Sequence, residues 1–151
     1  MTKLALGGLV GGAAVAGFVL GALLIDRLDQ DARFPLTTIT IGPGGQQGRC
    51  QATTANQRLR ARPRATVQWM MVNAGCDLGP GGVVQLRFET LPNPVQPERP
   101  TQTGNIVLAR VRDDADRRVH RYKVWAHFPS NPDNDYELED PDLEIVMFLM
   151  F

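Results

Sequence analysis

Residues 4–25, LALGGLVGGAAVAGFVLGALLI, run for 22 positions without a formal charge, and this constrains the chain more than any other feature. As an α-helix the run would measure about 33 Å, enough to cross a hydrocarbon core of ~30 Å. A cleaved secretory signal has a shorter apolar region, ~7–15 residues, followed by a small-residue cleavage site. Here the run passes directly into Asp26, Arg27, Leu28 and Asp29. With Met1 at the head of the chain, the segment is expected to persist as a transmembrane helix. The organisation that follows is residues 1–3 before the membrane, 4–25 across it, 26–35 as a juxtamembrane linker and 36–151 as one domain beyond.

Six glycines lie in this segment: Gly7, Gly8, Gly11, Gly12, Gly17 and Gly21. Gly7/Gly11, Gly8/Gly12 and Gly17/Gly21 are each spaced by four, which on a helix opens a groove where a second backbone approaches closely. Glycine is common in membrane helices, so a helix placed only in lipid is the alternative. The grooves favour other membrane-protein subunits as partners, alongside the bilayer. The segment has no histidine, so it offers no imidazole to a haem or chlorophyll metal.

Charge alone leaves the orientation nearly tied. Lys3 precedes the helix, while Arg27 and Arg33 follow it among Asp26, Asp29 and Asp31. The cysteines break the tie. Cys50 and Cys76 are the chain's two cysteines, and an even pair in a small exported domain reads as a disulfide. Closing a loop of about 27 residues would stabilise by roughly 3–4 kcal/mol on the chain-entropy model. The alternative is two buried thiols in a cytoplasmic domain. The disulfide reading puts the N-terminus in the cytoplasm and the domain in the periplasm. Sixteen basic residues balance sixteen acidic ones, so the chain lacks the basic footprint of a nucleic-acid binder.

From Phe34 onward the pattern is of strands. Residues 37–41 are rich in β-branched side chains and are followed by a GPGG turn. Val67, Trp69 and Met71 alternate, as do Val84, Leu86 and Phe88, and then Ile106 and Leu108. His120, Tyr122, Val124, Ala126 and Phe128 share one face, and Leu143, Ile145, Met147 and Leu149 another. Six or seven short strands separated by Gly/Pro loops predict a mainly β domain, an antiparallel Greek-key sandwich behind the N-terminal helix.

Two stretches carry a family resemblance. LRARPRATVQWMMVNAGCD resembles the early strand of cupredoxins, where a turn precedes a T-V-x-W run and an Asn-containing loop. RRVHRYKVWAHFP resembles the late strand that leads to the copper-ligand loop. On that pattern Val124 occupies the cysteine position and His127 the histidine position. The early loop around residues 73–79 has no histidine, and no methionine follows His127 at suitable spacing. A blue-copper site needs two histidines and a thiolate, whereas His120 and His127, seven apart, are expected on opposite faces of one strand. The resemblance thus implies a cupredoxin-like or immunoglobulin-like scaffold without copper and with no cofactor of its own. In overall appearance the chain is similar to the cupredoxin-like accessory subunits of bacterial photosynthetic reaction-centre–light-harvesting complexes. That similarity implies a bacterial inner or intracytoplasmic membrane, with pigments or haem confined to partner chains.

Arg58, Arg60, Arg62 and Arg64 alternate and would form a positive stripe for lipid phosphates or an acidic protein. A solvated strand edge protected by charge is the alternative. Pro92, Pro94, Pro97 and Pro100 stiffen a loop suited either to docking or to spacing. The acidic run from Asp133 to Glu144 lacks the glycine-centred loop of an EF-hand and reads as a solvated approach to the last strand. Ser130 is the only serine and has no histidine–acid pattern nearby, and no phosphate-binding glycine loop is present. The expectation is a non-catalytic accessory subunit. The alternative is a membrane-tethered electron carrier that uses His120 or His127 for a metal.

Overall fold

A computed structural model describes residues 31–46 and 48–147. The helix expected over residues 4–25, its six glycines, and Leu149 lie outside them. Among the described residues no helix is long and apolar enough to cross a membrane.

The described residues form ten strands: β1 (Leu36–Pro43), β2 (Cys50–Thr54), β3 (Arg58–Ala61), β4 (Thr66–Asn73), β5 (Val83–Phe88), β6 (Val95–Gln96), β7 (Ile106–Val111), β8 (Val119–His127), β9 (Tyr136–Glu139) and β10 (Asp142–Ile145). One five-stranded sheet has the order β2-β1-β4-β7-β6. The second runs β3-β10-β8-β5, with β9 also paired to β8. The expectation of a wholly antiparallel arrangement is corrected at two places, because β1 pairs parallel with β4 and β3 parallel with β10. Between β1 and β4 the chain passes through β3 in the other sheet and so returns in the same direction. Alternation reports which face a side chain takes, not the direction of the neighbouring strand.

The inward positions follow from that alternation. Ile39 and Ile41 of β1, Val67, Trp69 and Met71 of β4, and Val84 and Leu86 of β5 enter a single core. Tyr122, Val124 and Ala126 of β8 join it from the second sheet, with Leu143 and Ile145 of β10. Trp69 Nε1 donates to Tyr122 Oη at 3.0 Å across this core, with the rings edge to face at 5.9 Å. Burial raises the Tyr122 phenol well above its ordinary range, so it stays a neutral hydrogen-bonding group.

The expected phase of β7 is wrong. Val107, Ala109 and Val111 are the buried residues, while Ile106 and Leu108 point outward. Register decides this, because Val107 lies opposite the inward Trp69 and Leu108 opposite Gln68, and directly paired residues share a face. Met147, expected to continue the inward row of β10, falls beyond that strand and is exposed.

Cys50 and Cys76 form the disulfide, with Cα atoms 5.7 Å apart. It ties the start of β2 to the loop that follows β4. In the β1–β2 turn, the Gly44 N–H bonds the Arg49 carbonyl at 3.0 Å, and a Cβ on Gly44 would approach that oxygen to 2.8 Å. The backbone there comes too close for any residue but glycine.

Candidate docking surfaces

The two sheets present opposite kinds of outer face. On the second sheet, register sets Arg58 beside Asp142 and Asp142 beside Arg121, and sets Arg60 beside Glu144. The resulting ion pairs are Arg60–Glu144 at 3.0 Å, Arg58–Asp142 at 3.7 Å and Arg121–Asp142 at 3.8 Å. Lys123 pairs with Glu137 at 2.8 Å and Glu89 at 3.6 Å. Opposite charges on adjacent strands satisfy one another and leave this face wet and balanced.

The first sheet differs. The outward positions of β1 are Leu36, Thr38 and Thr40, and those of β4 between its ends are Gln68, Met70 and Val72. On β7 they are Ile106, Leu108 and Arg110. Register aligns Thr38, Met70 and Ile106 in one row and Leu36, Gln68 and Leu108 in the next. Arg110 is the single charge of this set and sits at its margin, beside Thr66 and Gln96. Met70, Val72, Leu108 and Leu36 are 37%, 44%, 48% and 51% exposed, and Phe34, just ahead of β1, is more exposed still. Thr38, Thr40 and Gln68 lie among these apolar side chains, so the face is uncharged at its centre but not continuously apolar.

The residues singled out from sequence are distributed unevenly. Arg58 and Arg60 project outward from β3, but both are paired to β10. The strand ends at Ala61, and residues 62–65 turn, with the Ala65 N–H bonded to the Arg62 carbonyl at 3.1 Å. Arg64 occupies the left-handed region at φ 68° and pairs with Asp113 at 2.6 Å. Pro63 followed by a positive φ is the pattern of a type II turn. The four arginines therefore do not form one continuous positive stripe. Of the four prolines, Pro94 and Pro100 are buried and Pro92 and Pro97 exposed. Pro92 and Pro94 lie between β5 and β6, and Pro97 and Pro100 between β6 and β7, where the Pro100 carbonyl accepts from the Leu86 N–H at 2.8 Å.

The histidines lie on opposite faces of β8. His120 is buried, with Nε2 2.8 Å from the Asp116 carbonyl. His127 is half-buried on the outer face, with Nδ1 2.8 Å from Asp135 Oδ2. Val124, at the cupredoxin cysteine position, is a core residue. Among the described residues no three His, Cys, Asp or Glu side chains converge as a metal-binding group.

Asp135 is the most heavily engaged carboxylate here. It accepts from the Phe128 N–H at 2.8 Å, from His127 and from Arg87, whose guanidinium lies 4.4 Å over the Trp125 ring. Burial pushes its pKa up, but these three partners together bring it down to about 2. The acidic run is thus only partly a solvated approach. Asp135 locks the loop after β8, Glu139 bonds Thr54 and Gln57, and Asp142 and Glu144 bind arginines.

Sequence reasoning missed the outer face of the first sheet: Leu36, Met70 and Val72 are left over once one face of β1 and β4 is assigned inward, but Leu108 turns outward only through the pairing of β7 with β4. No protein-family model and no curated protein matches the chain, so geometry and sequence pattern alone carry the functional argument.

Proposed function

We propose that this chain is a non-catalytic accessory subunit of a bacterial membrane-protein complex, in the first instance a photosynthetic reaction-centre–light-harvesting assembly. A single helix over residues 4–25 anchors it, with the N-terminus in the cytoplasm and the β domain in the periplasm. In this reading the domain is a copper-less, cupredoxin-like Greek-key sandwich that braces neighbouring subunits. Haem or pigment belongs to those subunits and not to this chain.

The observation that carries the proposal is the uncharged run of residues 4–25 with glycines at four-residue spacing. Such spacing serves close helix packing and adds nothing to a helix surrounded only by lipid. The Cys50–Cys76 disulfide supports an oxidising compartment for the domain. Two five-stranded sheets, with Trp69 bonded to Tyr122 in the core, supply the mainly β domain that this reading requires.

Replacing Gly8 and Gly12 together by leucine tests the packing role. The expected result is a protein that still fractionates with membranes but no longer co-purifies with larger partners after mild detergent extraction. Undiminished co-purification, or full function with an unrelated membrane anchor in place of residues 4–25, contradicts it.

A further inference from the structure

We propose that the Cys50–Cys76 disulfide is a removable clasp. A partner protein carrying a reduced dithiol opens it by attack on Cys76 Sγ, and the loop after β4 then comes free while the sandwich stays folded. Membrane attachment and subunit partners play no part in this.

The two sulfurs differ in access. Cys50 opens β2 and is 5% exposed, whereas Cys76 lies in the loop after β4 and is only half-buried. A hollow of about 490 Å³ separates Gly44 and Gly45 of the β1–β2 turn from Gly75 and Asp77 of that loop, and Cys76 lines it while Cys50 does not. Four of its lining residues are glycines, so bare backbone borders much of the approach to Cys76. Arg49 lines it too. Its guanidinium bonds Gln46 Oε1 at 3.3 Å and lies 5.1 Å over the Tyr136 ring, and among the described residues it pairs with no carboxylate. A cation beside a cystine favours the thiolates through which exchange proceeds.

The incoming thiolate forms an S–S bond with Cys76 Sγ. The Cys50–Cys76 bond breaks, and its electron pair leaves on Cys50 Sγ, which takes a proton. The partner's second thiolate then attacks its own sulfur in the mixed disulfide, and Cys76 leaves as a thiolate. The partner ends as an intramolecular disulfide, oxidised by two electrons, and the domain as two thiols, reduced by two. A dithiol brings its resolving thiol with it, whereas a monothiol leaves Cys50 free to close the bond again.

Reduction detaches a short segment. Among the described residues, residues 74–82 make one backbone bond to another element, at their root, where the Ala74 N–H meets the Ile41 carbonyl at 2.7 Å. The other bonds are local: Gly75 N–H to Asn73 Oδ1 at 2.8 Å, Gly79 N–H to Asp77 Oδ1 at 2.9 Å and Gly82 N–H to the Gly79 carbonyl at 3.1 Å. Gly75, Gly79 and Gly81 sit at φ 99°, 102° and 72°, and glycine gains the most conformational freedom on release. Leu78, packed against the core, is the main hold that remains. The strand at the other end of the bond is secured independently. β2 keeps its pairing with β1 over residues 50–54, the Cys50 N–H bond to Tyr136 Oη at 3.1 Å and the Thr54–Glu139 bond.

The test uses the full-length protein in mild detergent, with dithiothreitol as the dithiol and glutathione as a monothiol that stalls after the first step. Glutathione reactions are quenched with acid, unfolded, alkylated and digested, and mass spectrometry reads which cysteine carries glutathione. Glutathione is expected on Cys76, with Cys50 alkylated. Glutathione on Cys50 to a similar or greater extent, or no exchange until the protein is unfolded, overturns the proposal. Hydrogen exchange is then compared between the oxidised and the dithiothreitol-reduced protein. Residues 74–82 are expected to exchange roughly tenfold faster or more after reduction, with β1, β2 and β4 still protected. A matching rise in those strands means that the disulfide holds the fold, and overturns the clasp. Unchanged exchange throughout means that the loop is held without the disulfide, and overturns it equally. Neither result bears on the accessory-subunit reading.

Discussion

Asp135 binds the Phe128 N–H, His127 Nδ1 and the Arg87 guanidinium, and so fixes the loop after β8 against the outer face of β5 and β8. Its carboxyl, held at about 2, ionises more readily in the fold than in the unfolded chain, where ~3.9 is usual. A depressed carboxylate pKa contributes stability above the unfolded value, and that contribution disappears as pH falls through the folded value. Asp135→Asn is therefore expected to lower the stability of the domain by roughly 2 kcal/mol at neutral pH. Denaturant titrations should show the gap between wild type and variant narrowing as pH drops from about 4 towards 2. A gap that is absent at neutral pH, or that widens on acidification, contradicts this role. Little of it was legible beforehand. Asp135 sits in a run of acidic residues, and only the fold brings Arg87, 48 positions earlier, to its side. Trp69 was legible as a core residue because its alternation with Val67 and Met71 is local.

Among the elements, β7 shows what alternation leaves open. The segment IVLARV is apolar at both phases, so hydrophobicity ranks Ile106 and Leu108 above Val107 and Ala109 as core candidates. Pairing with β4 reverses that ranking through Trp69. Truncating Val107 to alanine should cost roughly 2 kcal/mol, from lost burial and the cavity left behind. Leu108→Gln should change stability by no more than about 0.5 kcal/mol. Thermal or chemical unfolding of the two variants checks this, and the opposite ranking would restore the phase expected from sequence. The long strands β1, β4 and β8 were readable because each carries several alternations. The shorter β2, β3, β6 and β9 were not, since two to five residues such as RLRA or VQ become strand only beside a neighbour. For the same reason the arginine alternation of residues 58–64 looked like one stripe, although the turn after Ala61 divides it.

At the scale of the whole domain, a charged, internally balanced face lies opposite one whose central strands carry a single outward charge, Arg110, and a disulfide closes one edge. The mainly β class and the cysteine pairing were legible, because period-two alternation and an even cysteine count are short-range signals. The parallel pairs and the low charge of that face were not, because both depend on which distant strands become neighbours. The central claim is that this chain does not work alone. It is tested most directly by extracting native membranes with a mild detergent, separating the extract by size, and identifying by mass spectrometry the chains that migrate with this one. The account predicts migration with a large assembly that carries pigment or haem absorbance in its other subunits. Migration as a lone chain of 16.6 kDa plus its detergent would contradict it.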